Sequence, residues 1–117
     1  MLQLTDTTRY YWYNGVADMR KGFDSLCCMV SQFMGANVLD GGVFIFVNRR
    51  RNQIILLTWE GDGLAIYHKR LEKGVYELPR LCADNSCAQI DALQLQLILR
   101  GIVLQSVRKK RRFSLSF

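Results

Sequence analysis

The sequence predicts an α+β domain: an antiparallel β-meander sheet of about five strands, with one long N-terminal helix and one short C-terminal helix packed on it. Three observations carry that expectation. Short apolar runs rich in Val, Ile, Phe and Tyr fill residues 43–78, separated by polar loops at 48–52, 60–63 and 72–74, which is the pattern of strands joined by tight turns. Apolar residues recur at helical spacing from Met19 to Met34. An Asp-x-x-Gln capping box at Asp91 opens a Leu-rich stretch.

Residues 1–8 read as a loosely held lead-in. The aromatic run 9–13 (Arg-Tyr-Tyr-Trp-Tyr), ended by Asn14-Gly15, predicts a strand on the edge or face of the sheet. From Asp18 the period changes. Met19, Phe23, Leu26, Cys27, Val30, Phe33 and Met34 mark one face of a helix of about 17 residues, with Asp18 as N-cap and Gly35 as terminator, and with Asp24 and Ser25 on the wet face. Residues 37–42 connect to the meander. Residues 43–47 are apolar on both alternating sides, so they predict a central strand covered on each face. Strands at 54–59, 64–71 and 75–78 follow, the last stopped by Pro79. After a surface connection at 80–86, Leu95, Ile98, Leu99 and Ile102 define a helix of about nine residues ending near Gly101, too short to stand without docking. Residues 103–107 extend it or add a strand. The expected organisation is a single domain over 1–107 and a basic tail over 108–117.

At 117 residues the chain is long enough for one core. No apolar run approaches a membrane span and no charged-then-apolar leader precedes the first polar residues, so a soluble, cytoplasmic protein with no membrane partner is the expectation. The four cysteines, Cys27, Cys28, Cys82 and Cys87, lack zinc spacing; with His68 as the lone histidine, they read as reduced, mostly buried thiols, with no metal and no cofactor.

Net charge is +6, and the run Arg108, Lys109, Lys110, Arg111, Arg112 supplies five of it. Other cations cluster at Arg20 and Lys21, at Arg49, Arg50 and Arg51, and at Lys69, Arg70 and Lys73. Three adjacent arginines in a hairpin loop repel one another where small turn residues are usual. Local positive clusters on an otherwise balanced domain suit a polyanion, although solvated charge is also common on proteins that never meet nucleic acid. At the start of the expected first helix, Arg20 and Lys21 would favour a phosphate or carboxylate through the free N–H groups; the alternative is an Arg20–Asp24 pair with Lys21 solvated. The tyrosines and tryptophan of 9–13 either stack on bases or cover the core.

The strings Asp18-Met-Arg-Lys-Gly-Phe-Asp24, Val43-Phe-Ile-Phe46 with Asn48-Arg-Arg-Arg51, Trp59-Glu-Gly-Asp-Gly63 and Lys69-Arg-Leu-Glu-Lys-Gly74 together resemble the small accessory protein of the insertion-sequence-66 family. The resemblance covers about residues 9–80, with a weaker echo in the helix ending at Gly101. Two positions depart from the family pattern: Ile55 stands where a Lys is frequent, and Glu60 where Asp is usual. The Arg tip is therefore the firmer candidate for reading charge. The resemblance implies a bacterial protein that assists transposition beside a separate, larger transposase, with no established catalytic activity.

The residues favour a non-catalytic role. The acids read as caps, turns and strand surface, without the three convergent carboxylates a two-metal transposase centre needs. The expected function is DNA binding at element ends through the thirteen cations named above. One alternative is an adaptor that docks on the transposase, or on other accessory proteins, through strand 9–13. A third is a metal-dependent nuclease using His68, Asp62 and Glu60. The oligomeric state is left open, a homo-oligomer included.

Overall fold

Five consecutive apolar residues with no polar alternation must be covered on both sides, and residues 43–47 are. In the computed structural model, which describes residues 7–79 and 87–100 together with the backbone of 102–103 and 108–109, strand β2 (Val43–Val47) is buried at every position. The even-numbered Phe44 and Phe46 face one way, Val43, Ile45 and Val47 the other, and the two sets enter separate cores. Strands β3 (Gln53–Trp59) and β4 (Leu64–Arg70) follow as an antiparallel meander in one-to-one register, Val47 opposite Ile54 and Gln53 opposite Arg70. The Glu60 N–H donates to Gly63 O at 2.9 Å across the second hairpin, with Gly61 at φ +94° supplying the left-handed turn.

The first strand departs from expectation. β1 (Tyr10–Tyr13) is neither an edge nor antiparallel to the meander: it pairs parallel with β2 on one side and antiparallel with β5 (Cys87–Ile90) on the other. The sheet is thus mixed, in the order β4-β3-β2-β1-β5. Strand β1 can lie parallel to β2 because helix α1 (Phe23–Phe33) is the crossover between them. The close start of the two strands requires Gly42. Its φ is +95°, and a Cβ there would meet the Tyr11 ring at 2.9 Å and Arg9 O at 3.2 Å. Tyr10 and Trp12 are buried and Tyr11 and Tyr13 half-buried, with the Tyr11 ring stacked on Phe44 at 5.2 Å, so these aromatics build core.

Helix α1 is eleven residues long and begins at Phe23, not Asp18. Gly22, extended at φ −92°, ψ −168°, is its N-cap and has no side chain with which to cap, while the Asp18 carboxylate is engaged with Arg20. Leu26, Met29 and Val30 bury against Phe44, Phe46, Ile55 and Leu57. Phe23 and Phe33, expected on that buried face, are close to half exposed. Asp24 and Ser25 are exposed as expected, and Gly35 at φ +62° follows the helix end.

Residues 75–78 do not form the expected fourth meander strand. The chain leaves β4 by donating Leu71 N–H to Asn52 O at 2.7 Å, and Tyr76 N–H then donates to Arg51 O at 2.7 Å. The segment therefore crosses the end of the first hairpin instead of returning beside β4, and only Tyr76 drives into the core. The fifth strand comes from Cys87–Ile90. Helix α2 (Ala92–Leu99) then covers the face of the sheet opposite α1 through Ala92, Leu95 and Ile98. The expected box caps it: Asp91 Oδ1 accepts from Gln94 N–H at 2.7 Å and Gln94 Oε1 from Asp91 N–H at 3.1 Å. Ile102 lies beyond the helix, in strand β6 (Ile102–Val103), which pairs with β7 (Arg108–Lys109). Of the thiols, Cys28 is exposed and Cys27 and Cys87 half-buried, so none described is fully interior; Cys82 lies outside the described residues. No helix among the described residues is long and apolar enough to cross a membrane.

Candidate nucleic-acid interface

The topology gathers one end of every central strand. β1 and β2 end together because they are parallel; β3 starts and β4 stops there because the meander is antiparallel; and α1 begins there because it follows β1. That end carries the 48–52 loop, the 14–22 connection and the start of the 71–76 segment.

Asn48 organises the loop. Its Oδ1 accepts from the N–H groups of Asn52 and Gln53, both at 3.0 Å, and its Nδ2 donates to Asn52 Oδ1 at 2.8 Å. The Arg51 N–H donates to Asn48 O at 3.0 Å, closing a turn in which Arg49 and Arg50 are exposed. Arg51 itself sits at φ +61°, where a side chain is disfavoured, and its carbonyl holds Tyr76. An arginine is thus placed where a glycine or asparagine would be the comfortable choice.

Beside the loop, Ala17 N–H donates to Val47 O at 3.0 Å, which clamps the 14–22 connection to the end of β2. Asp18 then makes a fork with Arg20: Arg20 Nη2 donates to Oδ2 at 2.8 Å, and Arg20 Nε and N–H donate to Oδ1 at 3.0 and 2.9 Å. The guanidinium hydrogen bond, reinforced by the backbone N–H, holds the Asp18 carboxyl well below the usual carboxylate range and pushes Arg20 up. This replaces two expectations. Arg20 and Lys21 precede the helix instead of occupying its first turn, because Gly22 interrupts it, and Arg20 pairs with Asp18 instead of Asp24.

Between the clamp and the loop runs an open groove of about 680 Å³, walled by Val16, Ala17, Asp18 and Met19 on one side and by Asn48, Arg49, Arg50, Asn52, Gln53 and Arg70 on the other. Arg70 faces the α1 side of the sheet, level with Gln53, and meets Glu72 only loosely at 3.5 Å with both side chains mostly exposed. Lys69 is opposite Ile54 and so faces the α2 side. The two neighbours are therefore not one patch. Lys73 lies in the segment tied to the loop through Asn52 and Arg51. Among the described residues Arg49, Arg50 and Arg51 form no ion pair with a carboxylate. Of the tail cations, Arg108 and Lys109 are placed only as strand backbone, and Lys110, Arg111 and Arg112 lie outside the described residues.

The opposite end of the sheet carries the acidic turn Glu60-Gly61-Asp62, with Asp40 and Asp91. The nuclease trio does not converge. His68 Nε2 is bonded to Gln53 Oε1 at 2.8 Å near the basic end, four residues up β4 from Leu64, roughly 13 Å at strand rise, while Asp62 and Glu60 lie in the turn beyond. Burial pushes the Cys27 and Cys87 thiols up. Sequence reasoning missed Asn48, Asn52 and Gln53; the asparagines flanking the three arginines are turn-forming residues and were the available signal.

The family described as IS66 Orf2 like protein matches residues 8–109. The chain belongs to the IS66 Orf2-like family. Membership makes it an accessory protein of insertion-sequence transposition. Two relatives come from Sinorhizobium fredii (strain NBRC 101917 / NGR234). The uncharacterized protein y4hO is 32% identical over 102 residues, covering 87% of each chain, and the uncharacterized protein y4jC is 24% identical over 93 residues, covering 80% of this chain and 78% of its own length. No solved structure matches this IS66 Orf2-like chain.

Proposed function

We propose that this protein binds duplex DNA through its basic end as a non-catalytic accessory factor, working beside the transposase of its element. The observation that supports this reading most is an open groove lined by Arg49, Arg50 and Arg70, at the same end of the sheet as Arg51, Lys21 and Lys73. Cations on loop tips neutralise phosphates without reading bases, so the binding is weakly sequence-specific and strongly salt-dependent. The basic residues 108–112 add to the same attraction.

Contact with about five phosphates makes affinity fall several-hundred-fold between 50 and 200 mM salt. Fluorescence anisotropy of the full chain against labelled duplex tests it. Changing Arg49, Arg50 and Arg51 together to Ser should lower the log–log salt slope by roughly two to three, and removing residues 108–117 should lower it again. A salt slope near zero for the full chain refutes the proposal. The adaptor alternative loses its docking edge, since β1 is interior. A complex with the transposase that survives nuclease treatment, together with a flat salt response, would restore that alternative through another surface.

A further inference from the structure

Because residues 75–78 cross the sheet end instead of pairing, the outer edge of β4 has no strand beside it among the described residues. This edge is unusually suited to pairing. It is seven residues long, contains no proline, and keeps unbroken one-to-one register with β3, so no bulge twists it away. Its first half is apolar, Leu64, Ala65 and Ile66, and Tyr67 is left 42% exposed. Its charges are sorted by end, with Asp62 just before the strand and Lys69 and Arg70 at its close.

We infer that two copies of this chain pair through β4, antiparallel about a two-fold axis, with Ile66 of one copy opposite Ile66 of the other. In that register Ala65 lies opposite Tyr67 of the second copy, which covers the exposed ring with a small neighbour. Leu64 lies opposite His68, and the turn that precedes Leu64 brings Asp62 to the end of the pair where Arg70 of the second copy lies. Each edge thus meets its own complement, the requirement for a closed two-fold interface. Lysine and arginine on an edge normally discourage strand addition, because a stranger's strand leaves them beside apolar or basic groups. A second copy offers an acidic turn at the matching end. The loose Arg70–Glu72 contact does not hold the guanidinium back. The other sheet edge, β5, has four residues and no such charge sorting. The product is a continuous ten-stranded sheet whose two basic ends point in opposite directions.

An edge of seven residues makes a small interface, so the dimer is concentration-dependent. Light scattering or sedimentation of the full chain should give a mass rising from 13.5 kDa towards twice that value with concentration. Asp62→Arg and Arg70→Asp each bring like charges together at both ends of the pair and should weaken the dimer about tenfold or more. The double variant restores the pair with its sign reversed and should recover most of that loss. Both residues are exposed, so circular dichroism should show all three variants folded. A wild-type chain that stays monomeric at every concentration overturns the inference. So does a dimer indifferent to the single reversals, or a double variant no better than the singles. Mass is the readout because Arg70 also walls the groove, and a change in DNA affinity would not separate the two roles.

Discussion

Replacing Asn48 by Ala removes three hydrogen bonds at once: those accepted from the N–H groups of Asn52 and Gln53 at 3.0 Å, and the one donated to Asn52 Oδ1 at 2.8 Å. Each is worth about 1 kcal/mol net, and the orphaned N–H groups are only half-buried, so water recovers part of the loss. The expected destabilisation is about 2 kcal/mol. For a domain of this length that corresponds to a fall of about 8 °C in Tm. Urea unfolding followed by circular dichroism should show the midpoint move with the slope unchanged. Asn48→Asp is the control. It keeps both acceptor bonds, loses only the donated one, and should cost about half as much. An Asn48→Ala variant within about 0.5 kcal/mol of wild type, or an Asn48→Asp variant equally damaged, would show that the side chain does not organise the loop.

Two further perturbations probe neighbouring features. At Arg51, with φ +61°, Gly should be more stable than Ala by about 1 kcal/mol, since both lack the charge and only Gly is at ease there; equal unfolding midpoints would refute the strain argument. The Tyr76 hydroxyl is buried with no partner among the described residues, and burial pushes its pKa from 10.0 up to about 12. Between those values the unfolded chain has released the proton and the folded chain has not, so wild-type stability should fall from about pH 10 and level off above about 12. Tyr76→Phe should be as stable as wild type at neutral pH, or more so, and should lose that share of the alkaline decline in urea titrations; a parallel decline in both proteins would refute the assignment.

The meander was legible because its cues are local: the fully apolar 43–47, the Gly-Asp-Gly turn and alternating β4 each declare themselves within a few residues. So was the Asp91–Gln94 box. What failed depended on partners distant in sequence. The aromatic strand read as lying on the edge or face of the sheet because nothing local says that Cys87–Ile90 will flank it, although a strand, a helix and a strand over residues 10–47 is the spacing of a parallel crossover unit. The helix start was misplaced because Asp18 is a good cap on paper and Arg20 competes for it. At the candidate site the cations were all visible, but their grouping was not. Lys69 and Arg70 separate because adjacent strand residues face opposite ways. Asn48 became important only once the loop closed around it.

The interior position of β1 also sets an order of events in time. Residues 43–70 can zip into a meander using contacts that are near in sequence, whereas Tyr10 must wait for Val43 on one side and Ile90 on the other. During synthesis β1 therefore leaves the ribosome before either of the strands that flank it. Until those strands pair with it Tyr10 and Trp12, almost wholly buried at the end, remain in water. An aromatic segment waiting for its partners presents apolar surface to chaperones and to aggregation.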